Sequence, residues 1–128
     1  MFTTVFLWIT AIGWLGYGLY CLFVPSTLTT VAGLVPSTLT AEVEIRAMYG
    51  GLQSAVGVLA LIGALRPAQT QGVLLALVCI YLGLCSTRAS SAILLGDGSS
   101  YSVGAAIFES LSALICFVLL RKAQTAGA

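Results

Sequence analysis

The stretch from Gln71 to Leu95 reads QGVLLALVCIYLGLCSTRASSAILL, with no proline and with Arg88 as its one Lys, Arg, Asp or Glu. As a helix rising 1.5 Å per residue it would extend about 37 Å, enough to cross a hydrocarbon core of about 30 Å. Gly96-Asp97-Gly98 follows at once, a turn signal that stops the helix. A charge inside hydrocarbon costs several kcal/mol and normally faces the protein interior beside a partner. This one stretch therefore predicts both a membrane span and, at the level of Arg88, an internal polar site.

Working outward, three more apolar runs have comparable length. Phe2 to Val24 ends at Pro25, which cannot continue a helical hydrogen-bond ladder. Val43 to Leu65 is opened by Thr40 as N-cap with Glu42 in the first turn, and is closed by Arg66-Pro67. Ser102 to Leu120 ends at Arg121-Lys122. Between the first two, VPSTLT occurs at 24–29 and again at 35–40. That offset is too short and too isolated for a repeat architecture, so the segment reads as a connecting loop at the membrane surface. The expected fold is all-α, an integral membrane four-helix bundle forming a single transmembrane domain over residues 1–128, with helices at about 2–24, 43–65, 71–95 and 102–120.

Composition agrees. Of 128 residues 59% are hydrophobic and 7% charged, against about 25% charged in a soluble domain; the mean hydropathy is +1.09. A formal net charge of +1 without a basic tract excludes nucleic-acid binding. Histidine is absent, which removes the commonest general base and transition-metal ligand. Cys21, Cys79, Cys85 and Cys116 lie inside apolar runs with no CxxC pair, as small packing residues. No metal and no other cofactor is expected. The first acidic or basic side chain is Glu42, so the N-terminus lacks a signal peptide's positive region and the first run reads as a retained span. With four spans, the termini and the Arg66 loop share the face that collects Arg66, Arg121 and Lys122; the positive-inside rule makes that face cytoplasmic.

Glu44, Arg46, Arg88 and Glu109 fall within or near the ends of the spans. Arg88 precedes Leu95, and Glu109 follows Ser102, by the same number of residues, which puts both about 10 Å below the outer surface, with Arg46 at about 9 Å. Glu42, Arg46, Tyr49 and Gln53 form one stripe of the second helix. Tyr81, Cys85, Arg88 and Ala92 form one on the third, and Ser102, Ala105, Glu109, Ser112 and Cys116 one on the fourth. Meeting, these stripes make a hydrated pocket open to the non-cytoplasmic face, with Arg46, Tyr49, Gln53, Arg88 and Glu109 as candidate ligand-binding residues. Arg88 and Glu109 are expected to pair, with Arg46 near enough to join them. Two arginines face one deep carboxylate, so the spare donors suit a carboxylate or phosphate headgroup unless Glu42, Glu44 or Asp97 folds inward as partner. The plainer reading is that these charges only hold helices in register. Gly50 with Ser54 and Gly51 with Ala55 are small-residue pairs suited to close helix approach, as are Gly13 and Gly16.

The run Glu44-Ile45-Arg46-Ala47-Met48-Tyr49-Gly50-Gly51-Leu52-Gln53, then Arg88 ahead of Asp97-Gly98, then Glu109, resembles a bacterial family known as domain of unknown function 4345, distant relatives of the DoxX-like proteins. The resemblance covers nearly the whole chain and implies a four-helix protein of the bacterial inner membrane, with both termini cytoplasmic by the charge reading above. It brings no established activity.

The sequence thus points to a small membrane protein that binds a small molecule or lipid at its charged layer, with transport as a related role. The alternative is a structural or accessory subunit of a larger membrane complex. An enzyme is the weakest reading, because the catalytic inventory is thin. Membrane lipids are the expected partners, with a homo-oligomer or larger membrane complex as the assembly.

Overall fold

The computed structural model describes residues 1–126, and among them there is helix and turn but no strand. In chain order the elements are α1 (Phe2–Phe23), α2 (Thr27–Ala32), α3 (Leu39–Ile45), a π-helical segment (Arg46–Leu52), α4 (Gln53–Leu65), a single 3-10 turn (Pro67–Gln69), α5 (Thr70–Leu95) and α6 (Ser100–Ala126). Among the described residues, Phe2–Phe23, Leu39–Leu65, Pro67–Leu95 and Ser100–Thr125 are long and apolar enough to cross a membrane. Within their apolar windows only 28 to 33% of residues are buried. The remainder presents Ile9, Ile12, Leu75, Leu82, Ile107 and Leu111 outward, an apolar surface that needs lipid to cover it. The fold class expected from sequence, all-α with four membrane-spanning helices, is the one observed.

The helix ends differ from expectation in an instructive way. Each VPSTLT copy starts a helix: Ser26 stands before α2, and Thr38 caps α3 by accepting a hydrogen bond from the Ala41 N–H at 3.1 Å. The N-cap of the second span is thus Thr38 and not Thr40, and the span begins one turn earlier, at Leu39. Gly33 ends α2 at φ +67°, a left-handed conformation that suits glycine. The last helix begins at Ser100 and continues past Leu120; Arg121 and Lys122 do not stop it because both are good helix formers.

The chain forms two compact units, Met1–Pro67 and the part from Ala68 onward. In the first, α1 runs antiparallel to the second span with three glycines at the contact. A Cβ on Gly18 would stand 2.5 Å from the Ser54 nitrogen, one on Gly50 2.9 Å from Leu22 Cα, and one on Gly57 2.6 Å from the Leu15 nitrogen. The backbones are therefore in direct contact, as the small-residue reading of Gly50 anticipates. Gly51 has one contact, at 4.0 Å, and Gly13 and Gly16 have none within 4 Å. In the second unit, α5 and α6 form an antiparallel hairpin. The Gln71 Nε2–H donates to the Ala123 carbonyl at one end (3.0 Å), and Tyr81 meets Phe108 edge to face, centroids 6.1 Å apart, farther along.

Candidate functional site

In the first unit, Arg46 is fully engaged. Its Nε–H and Nη2–H donate to Glu42 Oε1 at 3.1 and 2.8 Å, one helical turn away, and its Nη1–H donates to the Leu22 carbonyl. That carbonyl lies in the last turn of α1, where backbone acceptors lack helical partners and positive charge is favoured. Of the three carboxylates offered as partner, Glu42 is the one that meets Arg46. Glu44 is exposed.

Directly after this pair the helix widens into the π segment, whose i→i+5 bonding adds one residue to the turn. One added residue rotates everything beyond it by about 100° relative to an α-helix. The stripe Arg46, Tyr49, Gln53 assumed an unbroken α-helix, and that assumption fails here. Tyr49 is half-buried, while Gln53 Oε1 and Ser54 Oγ are buried without a hydrogen-bond partner among the described residues. The available signal was Gly50-Gly51, a weak point in a helix, with Gly50 at one of the backbone contacts with α1.

In the second unit, Arg88 and Glu109 meet as their equal depths predict. Arg88 Nε–H lies 3.1 and 3.0 Å from Glu109 Oε1 and Oε2, and Nη2–H lies 2.7 Å from Oε1. The Glu109 side chain is 5% exposed and that of Arg88 26%. The Tyr101 ring lies over the guanidinium, 5.8 Å from its carbon to the ring centroid, a cation–π arrangement. Nearby, Cys85 Sγ and Ser110 Oγ are 2.9 Å apart, a second polar tie between the same helices.

Asp97 does not turn in to an arginine. Its carboxylate accepts from the Ser102 hydroxyl, from the Ser99 N–H at 2.9 Å and from the Ser99 hydroxyl at 3.2 Å, and these bonds hold its pKa below the ordinary value. Ser99 Oγ in turn accepts from the Ser102 N–H, so the turn and the start of α6 are stapled by their own side chains.

Along α5 runs a groove of about 610 Å³. Its apolar end is made by Cys79, Ile80, Gly83 and Leu84, and its more polar end by Thr87, Arg88, Ser91, Asp97 and Ser102, with Ala92 and Leu95 among them. Cys79 to Leu95 is about 24 Å at the α-helical rise. The groove therefore descends from the membrane face where α5 ends deep into the span, and its polarity falls along the way. The sequence stripes missed Thr87 and Ser91. The signal was the run Cys85 to Ala92, CSTRASSA, too polar for a surface facing lipid.

Four helices long and apolar enough to cross a membrane define a multi-pass membrane protein, whose second unit carries the Arg88–Glu109 pair and the groove. The family described as Domain of unknown function (DUF4345) matches residues 2–120, and the chain belongs to it. No curated protein and no solved structure matches the chain.

Proposed function

We propose that the protein binds an amphiphile, a lipid or lipid-like small molecule, in the α5 groove, with the polar end at Thr87, Arg88, Ser91 and Ser102 and the chain along Leu84, Gly83 and Ile80. The observation that carries this is the polarity gradient of the groove. It runs in the same sense as that of a bilayer leaflet, so a molecule oriented like a membrane lipid fits it without turning over. Glu109 fixes Arg88 at the polar end, and Gly83, whose Cβ would meet nothing within 4 Å, keeps the middle wide. Arg46, Tyr49 and Gln53 belong to the first unit, where Arg46 ties the second span to the Leu22 carbonyl of α1. We place the protein in the bacterial inner membrane with both termini cytoplasmic, on the positions of Arg66, Arg121 and Lys122; the groove then opens to the opposite face.

A hexadecanol carrying a diazirine at its chain end tests this in the full-length protein. Saturable labelling at Cys79–Leu84, competed away by unlabelled hexadecanol, is expected. Labelling spread evenly over the apolar faces and insensitive to competitor would refute the groove and favour an accessory subunit whose outer surface is its working part.

A further inference from the structure

We infer that the amphiphile taken by this groove carries a positively charged nitrogen, a primary amine or quaternary ammonium, at its polar end. The inference rests on the groove reading above and follows from the charges at its mouth. Two groups in the lining are formally charged, Arg88 and Asp97. Arg88 is matched by Glu109 through two nitrogens and both carboxylate oxygens, so this pair contributes no net charge. Among the described residues Asp97 has no cationic partner: its contacts are the hydroxyls of Ser99 and Ser102 and the Ser99 N–H. The polar end thus holds one uncompensated negative charge.

An anion would meet an Arg88 whose charge Glu109 already balances, and would lie beside the like charge of Asp97. The start of α6 offers it little, because the Ser99 N–H, the Ser102 N–H and the Ser102 hydroxyl already bond to the chain itself. A cation meets Asp97 directly, with Thr87 and Ser91 as neutral neighbours. The carboxylate or phosphate headgroup suggested by the arginine count is thereby replaced by its opposite. The donor surplus behind that suggestion does not exist, since Glu42 neutralises Arg46.

The test compares hexadecyltrimethylammonium, hexadecanol and palmitate, at equal mole fraction in dodecyl maltoside micelles, for binding to the full-length protein by native mass spectrometry. The ammonium is expected to bind at least about tenfold more tightly than palmitate, the scale of one opposite charge near a protein surface. Asp97→Asn keeps an acceptor for Ser99 and Ser102 while removing the charge; it should erase that preference. Gly83→Leu should weaken all three. Palmitate binding as well as the ammonium, with both blocked by Gly83→Leu, would overturn the charge inference and leave the groove standing, as would an unchanged preference in Asp97→Asn. Binding of all three that ignores Gly83→Leu would overturn the groove reading with it.

Discussion

Breaking the Arg88–Glu109 pair one residue at a time should cost more than removing it whole. Three close nitrogen–oxygen contacts join the side chains, and Glu109 is almost without solvent. Removing one partner of a buried pair typically costs about 3 to 5 kcal/mol, because a charge is left uncompensated. The exposures set an order. Arg88→Met strands the more deeply buried carboxylate and belongs near the top of that range. Glu109→Leu strands a guanidinium that is 26% exposed, on a long stem that can shift its head toward water, and belongs near the bottom. In the double variant Arg88→Met with Glu109→Leu neither charge remains, and the cycle should return an interaction energy of about 2 to 3 kcal/mol. That exceeds the roughly 1.7 kcal/mol maximum measured for polar contacts between membrane helices. Unfolding in mixed dodecyl maltoside and sodium dodecyl sulfate micelles, followed by far-ultraviolet circular dichroism, reads all four corners. Additivity within about 0.5 kcal/mol would mean that the two groups do not meet in the folded protein.

Gly18→Ala should destabilise by about 1 to 3 kcal/mol, since its Cβ would overlap the Ser54 backbone. Gly16→Ala, on the same helix with nothing near it, should be neutral or stabilising by up to about 1 kcal/mol, and the same unfolding assay separates them. The Arg46–Glu42 pair, with side chains 40 and 39% exposed, should be worth about 1 kcal/mol or less, so Glu42→Gln is expected to fold with only a small shift in the midpoint. A cytoplasm-only reporter fused after Ala128 should be active and a periplasm-only reporter silent; the reverse would overturn the orientation.

Where charge, length and helical rise decide the structure, the sequence is readable. The four spans follow from apolar runs ended by Pro25, Pro67 and Gly96. The Arg88–Glu109 pair follows from counting residues back from one turn, because α5 and α6 are regular helices up to that turn. The same arithmetic stops working at Arg46, where the π segment breaks the 3.6-residue period on which the stripe through Gln53 was counted. Nothing in a periodicity count distinguishes an α from a π turn, since that choice is settled by how closely α1 approaches Gly50 and by the pull of the Leu22 carbonyl on Arg46. Glu42 was legible as a residue of the same stripe one turn before Arg46, but a sequence count does not choose it over Glu44 and Asp97 as the partner; the i,i+4 pair does. The groove was hidden for another reason. It depends on space beside Gly83 and on Asp97 remaining at the turn, both matters of tertiary arrangement.

The most direct test of an amphiphile site on α5 is the set of lipids retained by the purified protein, with and without the groove. Native mass spectrometry of the full-length chain, released from mild detergent, should show the wild type carrying a discrete lipid-sized adduct. Gly83→Leu, which fills the groove without meeting any atom within 4 Å of its Cβ, should lose that adduct while its circular dichroism and unfolding midpoint stay unchanged. The same adduct, of the same mass and occupancy, on an equally well-folded Gly83→Leu protein would contradict the account.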